Sequence, residues 1–517
     1  MKAAVVGTAV FAFGILVATS ASAQSPAPVD TLVEARRLRD ASDYTAAAAL
    51  LAPYVAAHPD DPGAARFAAL MAYWSKDVTT ARAIYAAATE RHPNDADLRV
   101  EYAQFLIEMG ETSTARALVK PLADTGSRDL PATRRALTQI GTLEYWRGDF
   151  TRARRLFIET LRIDSSNAEA RRQLREIELA SAAWVRLGGA GWHDDQPIDR
   201  ATFDAEGGWF LTPLTPLTVT VGTTRFGLDE TSETLSRAEV ELGTFVPAAR
   251  MDLTVGAGLL NRSFGDASDW TARAVLGFRL PRNIVLEGRF ERGPYVHTAA
   301  SLARTVMTAT VDGTLRWRAA NGWMADATAR RESFDDDNTI TTGYVWMLAP
   351  MLRRPRGEIH IGYSFSAQAA EKSRFVPRAD DLNFPPGQPP PTVRGVYDPY
   401  YTPRDLRVHS ALASVAARPS SRWSMSANAN LGVRTRDDAP VLVVVTRPPN
   451  ADVVRTYYPR EFTPWNVRAA LETAATEAVR LAITAERGNG AYYAFTTVEL
   501  RMTYTFVAAA RRRADRY

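Results

Sequence analysis

The chemistry-bearing residues of this chain sit mainly on alternate positions of short apolar segments. In Asn283–Glu291, Glu287, Arg289 and Glu291 share one face, while Ile284, Leu286 and Phe290 take the other. The same kind of polar face carries Arg237, Glu239, Glu241, Arg273, Asp312, Arg316, Arg468 and Glu472. Two arrangements suit such a face: a hydrated wall of mixed charge, or a set of cross-strand salt bridges that each contribute little. No nucleophile–base pair, Gly-rich phosphate loop or Gly-x-Ser-x-Gly elbow accompanies these residues, so no catalytic set is expected. His193-Asp194-Asp195 and Asp335-Asp336-Asp337 offer hard-cation ligands, but neither has the spacing of a calcium loop, and aspartate-rich turns look the same. With no cysteine and six histidines, thiolate sites are excluded and a histidine-rich metal centre is not expected. No metal or cofactor is assigned.

Composition narrows the classes further. The chain has 517 residues, with 62 Lys+Arg against 58 Asp+Glu. That near balance argues against a nucleic-acid partner, which would face a dense basic patch. Hydrophobic residues make up 46% and aromatics 9%, enough for a folded protein. Beyond the N-terminus there is no apolar run of about 18 residues, so helical membrane spans are not expected.

The elements that must position these residues fall into three parts. Met1-Lys2, an apolar stretch from Ala3 to about Ala18 and the small residues Ala21-Ser22-Ala23 read as a signal peptide over 1–23. The mature chain is then an exported one. From residue 28 to about 180 a helical period holds. Ala47, Ala81 and Ala115 recur every 34 residues after similar turns, and Ala153 follows Arg147-Gly148-Asp149-Phe150 as a fourth copy displaced by an insertion near Ser127. Leu51, Tyr85, Val119 and Phe157 stand four residues after each alanine, and His58-Pro59 and His92-Pro93 close the first two copies. Asn167–Leu179 reads as an amphipathic capping helix. Tyr73-Trp74 and Tyr145-Trp146 end the first helix of the second and fourth copies, where they suit either a ligand groove or inter-helix packing.

From Trp184 onward the period is two. Strands begin near Trp184, Thr202, Leu217, Leu235, Met251, Trp270, Asn283, Ala303, Trp323, Thr339, Glu358, Asp405, Arg422, Trp465, Val479 and Tyr492, sixteen in all. Connections after even strands are short, whereas the long stretches Ala367–Pro403 and Arg436–Phe462 follow odd ones. An even strand count with one-sided apolar faces and asymmetric connections predicts an all-β antiparallel transmembrane barrel over 183–506. The parity places the repeats and a basic tail, 507–517, in the periplasm. Val498, Leu500, Met502, Tyr504 and Phe506 alternate to an aromatic end, similar to the terminal strand by which such barrels are recognised for assembly.

The 34-residue period resembles the tetratricopeptide repeat, whose helical hairpins stack into a solenoid. Leader, repeats and barrel together resemble the exopolysaccharide-export outer-membrane proteins, exporters of cellulose and of poly-N-acetylglucosamine, and the YaiO-type outer-membrane family. That resemblance implies a Gram-negative outer-membrane protein, bounded by lipid, whose repeats dock periplasmic proteins while the barrel exports a polysaccharide. A non-conducting outer-membrane scaffold is the alternative, and an outer-membrane enzyme is disfavoured for want of a nucleophile–base pair.

Overall fold

The computed structural model describes residues 28–125, 130–196, 198–228, 231–263, 268–378, 392–447 and 450–517. The signal peptide, the insertion near Ser127 and the proline run Pro385–Pro391 lie outside the described residues.

The helical part is a succession of hairpins: α1 (Pro28–Asp40), α2 (Tyr44–Ala57), α3 (Pro62–Trp74), α4 (Val78–Arg91), α5 (Ala96–Glu108), α6 (Thr112–Thr125), α7 (Pro131–Arg147), α8 (Phe150–Ile163) and α9 (Ala168–Ala180). Their shared turns explain the repeat. Ser42, Lys76, Gly110 and Gly148 each take a left-handed backbone at the end of a first helix. Glycine meets that demand without a Cβ penalty at the last two. Asp43, Asp77 and Asp149 then cap the second helices, each carboxylate accepting from a backbone N–H three residues on. Ala47, Ala81, Ala115 and Ala153 are fully buried, as are Leu51, Val119 and Phe157, with Tyr85 nearly so. These are the close helix crossings that small and bulky residues at fixed spacing require.

The chain divides into two compact units, one ending at Gln139 and the other running from Ile140 to Tyr517. The second contains α8 and α9 together with all the strands. Fifteen consecutive antiparallel pairings connect sixteen long strands: β1 (Trp184–Asp194), β2 (Ile198–Thr212), β3 (Thr215–Leu228), β4 (Thr231–Val246), β5 (Met251–Arg262), β6 (Asp269–Leu280), β7 (Ile284–Pro294), β8 (Met307–Arg318), β9 (Met324–Phe334), β10 (Thr339–Arg354), β11 (Gly357–Ala370), β15 (Leu406–Ala417), β16 (Trp423–Arg447), β18 (Trp465–Ala474), β19 (Val479–Asn489) and β20 (Ala494–Thr505). The last pairs with the first, Trp184 opposite Thr505, and closes the barrel. No helix among the described residues is long and apolar enough to cross a membrane.

The long connections depart from the sequence reading in three places. The strand expected from Ala303 begins at Met307, because Ala299–Ala303 forms a short helix, α10, closed by a capping box between Thr298 and Ser301. Arg436–Phe462 is no open loop. Val441–Val445 carries β16 past its barrel neighbours and pairs with β17 (Asn450–Arg460), as a β-branched run favours. Between β11 and β15 lie β12 (Phe375–Pro377), β13 (Thr392–Val393) and β14 (Gly395–Tyr397), with β12 and β14 paired to each other and β13 to β16.

The basic C-terminus is a helix, α11 (Val507–Ala514), rather than a loose tail. Ala514 is buried with Phe157, Leu161 and Leu174, and Tyr517 packs against the same cluster. The nearly inaccessible Glu178 carboxylate accepts from Arg154 at 2.6 Å and from Arg513 at 2.7 Å. Two outcomes test these packing arguments. A Cβ on Gly141 would come 2.6 Å from the fully buried Phe157 ring, so Gly141→Ala should cost about 1–3 kcal/mol, read as an earlier thermal loss of helical circular dichroism. Arg513→Ala should weaken the docking of α11 by about 2 kcal/mol, seen as faster tryptic cleavage after Arg511 and Arg512.

Candidate functional site

The barrel's two faces differ because side chains alternate along each strand. Outward stand Val221, Val240, Leu259, Val311, Leu315, Leu431 and Leu500, each about half exposed or more. Trp209, Trp317, Trp423 and Tyr504 join them close to the strand ends that carry the short turns. Val498, Leu500, Met502, Tyr504 and Phe506 are all on this outward face.

The opposite face holds the charged residues singled out in the sequence, and pairing accounts for most of them. Arg237 donates to Asp204 at 2.9 Å. Glu239 accepts from the Thr271 hydroxyl at 3.1 Å, and Glu241 from Arg273 at 3.2 Å. Glu287 takes Arg289 on its own strand and both amino nitrogens of Arg316 across the pair, all at 3.1 Å. Asp312 lies 3.8 Å from Arg330 and Arg468 3.9 Å from Glu486, longer contacts of weaker energy. Glu472 has no charged partner within 4 Å among the described residues. Glu239 and Glu241, with their partners Thr271 and Arg273, line an inner cavity of about 620 Å³. The wall is hydrophilic yet locally neutralised, which a face of unpaired charge would not be.

Sequence reasoning missed what occupies the end with the long connections. The β7–β8 connection folds inward, and Leu302 of α10 packs with Ile198, Phe226, Leu235, Leu260 and Met307. These apolar residues interrupt a largely polar inner face; in β4 the signal is Leu235, two residues before Arg237. A second cluster joins this insert to the β11–β15 connection through Val306, Phe334, Ile340 and the fully buried Tyr400. Tyr400 stacks on Phe334 at 3.8 Å between ring centres and donates to Asp336, which also pairs with Arg374 at 2.6 Å. Burial, then the bond to Asp336, pushes the Tyr400 hydroxyl up to about 12.

The carboxylate clusters are therefore occupied by the protein itself. Asp336 serves the Tyr400 lock, while Asp194 accepts from Trp192 and from the backbone N–H groups of Gln196 and Ile198. His193 meets Asp199 at 2.7 Å. The paired aromatics of the repeats divide their roles. Tyr73 packs edge-on against Phe105, and Tyr145 packs on Phe150 while its hydroxyl donates to Glu176. Trp74 and Trp146 remain exposed, Trp74 with one edge on Tyr44.

Glu287 supplies a test with its own control. Glu287→Gln removes the counter-charge from Arg289 and leaves Arg316 only the longer contact to Asp326 at 3.9 Å, and should cost about 1–3 kcal/mol. The folded, fast-migrating band on unheated gels should then be lost at a lower temperature, whereas Glu472→Gln should leave that temperature unchanged.

Residues 72–140 match the tetratricopeptide repeat family. No curated protein sequence matches the chain. Among solved structures, a bacterial polysaccharide outer membrane secretin is similar at 11% identity and TM-score 0.47, covering 63% of this chain and 99% of that one. CdiB from Acinetobacter baumannii is similar at 11% identity and TM-score 0.37, covering 62% of this chain and 60% of its own. MamA from Desulfovibrio magneticus RS-1 aligns at 11% identity and TM-score 0.26, over 29% of this chain and 82% of its own. The chain thus joins a tetratricopeptide-repeat region to a closed sixteen-strand antiparallel barrel.

Proposed function

We propose that the protein is an outer-membrane conduit that passes a polysaccharide outward, with its repeats in the periplasm and no catalytic step of its own. The opposition of the two barrel faces carries this reading. An apolar exterior with tryptophans near the strand ends matches a lipid boundary. The interior is polar but ion-paired, so a hydrated polymer meets many donors and acceptors without a strong field that would hold it. A periplasmic position for the repeats is supported by the entry of α9 into β1 and the exit of α11 from β20 at the end bearing the short turns. Repeats of this type stack into extended surfaces suited to protein partners, and the exposed Trp74 and Trp146 are candidate contact points.

The scaffold reading draws on one observation of its own: two inserts with buried apolar cores occupy the loop end of the barrel. Planar bilayers separate the two. The intact protein should conduct weakly, and removal of residues 296–305 and 372–404 together should raise conductance several-fold. In that background, Glu239→Gln with Glu241→Gln should shift the reversal potential away from cations. Silence after both inserts are removed would favour the scaffold. Orientation has a separate check: chymotrypsin added to intact cells should cut within 371–405 and spare residues 28–180, and the converse pattern would invert the topology.

A further inference from the structure

At the loop end, beside the two apolar inserts, the barrel holds a cavity of about 1130 Å³ that the ion-paired wall does not reach. Its construction differs from the charged interior. One side is a cluster of rings from the connections: Tyr397 meets Phe375, Tyr401 and Tyr492 edge-on at about 5 Å between centres. The cluster is anchored from behind. Tyr397 and Tyr492 share a hydroxyl contact at 3.1 Å, Arg460 lies over the Tyr492 ring at 4.3 Å, and Arg460 is itself tied to the buried Asp437 at 2.5 Å. The facing side is barrel wall, with Tyr344 and the amides of Gln368, Asn430 and Asn466 on its strands.

We infer that this cavity is a binding site for an uncharged oligosaccharide, a short stretch of the exported chain held as it leaves the barrel. Sugar rings present apolar C–H faces and a rim of hydroxyls. Flat aromatic rings meet the first, and amides, which both donate and accept, meet the second. Fixed rings suit such a ligand because little freedom is lost when it docks. Size agrees, since a cavity of this volume exceeds the upper range for drug-sized ligands and admits several sugar rings.

Charge selects the class. Among the described residues that line it, only Arg378 is a permanent cation, against Asp195 and Glu332. His297, which also lines the cavity, is pushed down to about 4 by burial and then by the charge of Arg200, so it is neutral at physiological pH. A polyanion such as a uronic-acid chain would need several guanidiniums unmatched by carboxylates, and the described lining residues do not provide them. This inference rests on the export reading for the identity of the ligand, yet the two can fail separately.

The test is titration calorimetry of the full-length protein in detergent with three probes: chitopentaose, cellopentaose and pentagalacturonate. At least one neutral pentasaccharide should bind while the anionic one does not. Tyr492→Ala should weaken binding roughly tenfold or more, and Tyr492→Phe should restore most of it, since the stacking face returns without the hydroxyl. Tyr344→Ala, on the barrel wall and outside the ring cluster, should weaken binding to a similar degree and guards against a collapsed connection. Binding by pentagalacturonate alone, by no probe, or unaffected by both alanine variants would overturn the inference. Bilayer recordings keep the parent reading distinct. Conductance without oligosaccharide binding removes the site and spares the conduit, whereas binding to a protein that stays silent after insert removal keeps the site and removes the conduit.

Discussion

Every feature of the second unit depends on the pairing of β1 with β20. A strand edge left open in hydrocarbon carries N–H and C=O groups with nothing to bond, each costing several kcal/mol. Register from Trp184–Thr505 to Asp194–Phe495 removes the last edge. Closure at sixteen strands then sets the next problem, because a ring that wide cannot be filled by its own side chains. The chain meets it in two ways: a belt of paired Arg, Asp and Glu that tolerates water, and two connections that turn inward and build their own cores.

The division of labour along the barrel axis follows from those solutions. Toward the short turns the inner face is charged, and most of its carboxylates lie beside a guanidinium that offsets their field. Toward the long connections it becomes apolar beneath α10 and aromatic beneath Tyr397 and Tyr492. A polymer moving between the two ends would pass from a surface that holds nothing tightly to one that offers flat rings. The Tyr400–Asp336–Arg374 contact fixes where that change occurs by locking one insert onto the wall.

Much of this was legible in the sequence, and the part that was not has a common cause. Helical spacing of Ala47, Ala81, Ala115 and Ala153 and alternation from Trp184 onward both reflect local geometry, so the elements follow from them directly. The charged inner residues were legible for the same reason, since a period of two assigns a face without knowing the neighbour. Their partners were not. Which carboxylate meets Arg316 depends on strand register, and Glu287 lies 29 residues away. The inserts escaped because α10 is one turn long and its burial depends on Phe226 and Leu260 from distant strands. The β16–β17 hairpin does carry a local signal, the apolar run Val441–Val445, but it lies between proline-flanked segments that read as a connection. The C-terminal helix hid behind its arginines, whose apparent solubility says nothing about a buried Glu178 elsewhere in the chain.

That helix changes how the barrel would respond to mechanical load. β1 and β20 meet with their outer ends, Trp184 and Thr505, at the same rim, so tension applied across the chain there would unzip the seam one bond at a time. Just ahead of the first rung, Phe506 donates to the Ala183 carbonyl, and α11 is clasped to α9 through Arg513 and Glu178 and through Arg175 and Asp515. The clasp therefore bears the pull before the seam does. Its central contact, Arg513 on the buried Glu178, has to part before tension reaches the rungs of the seam.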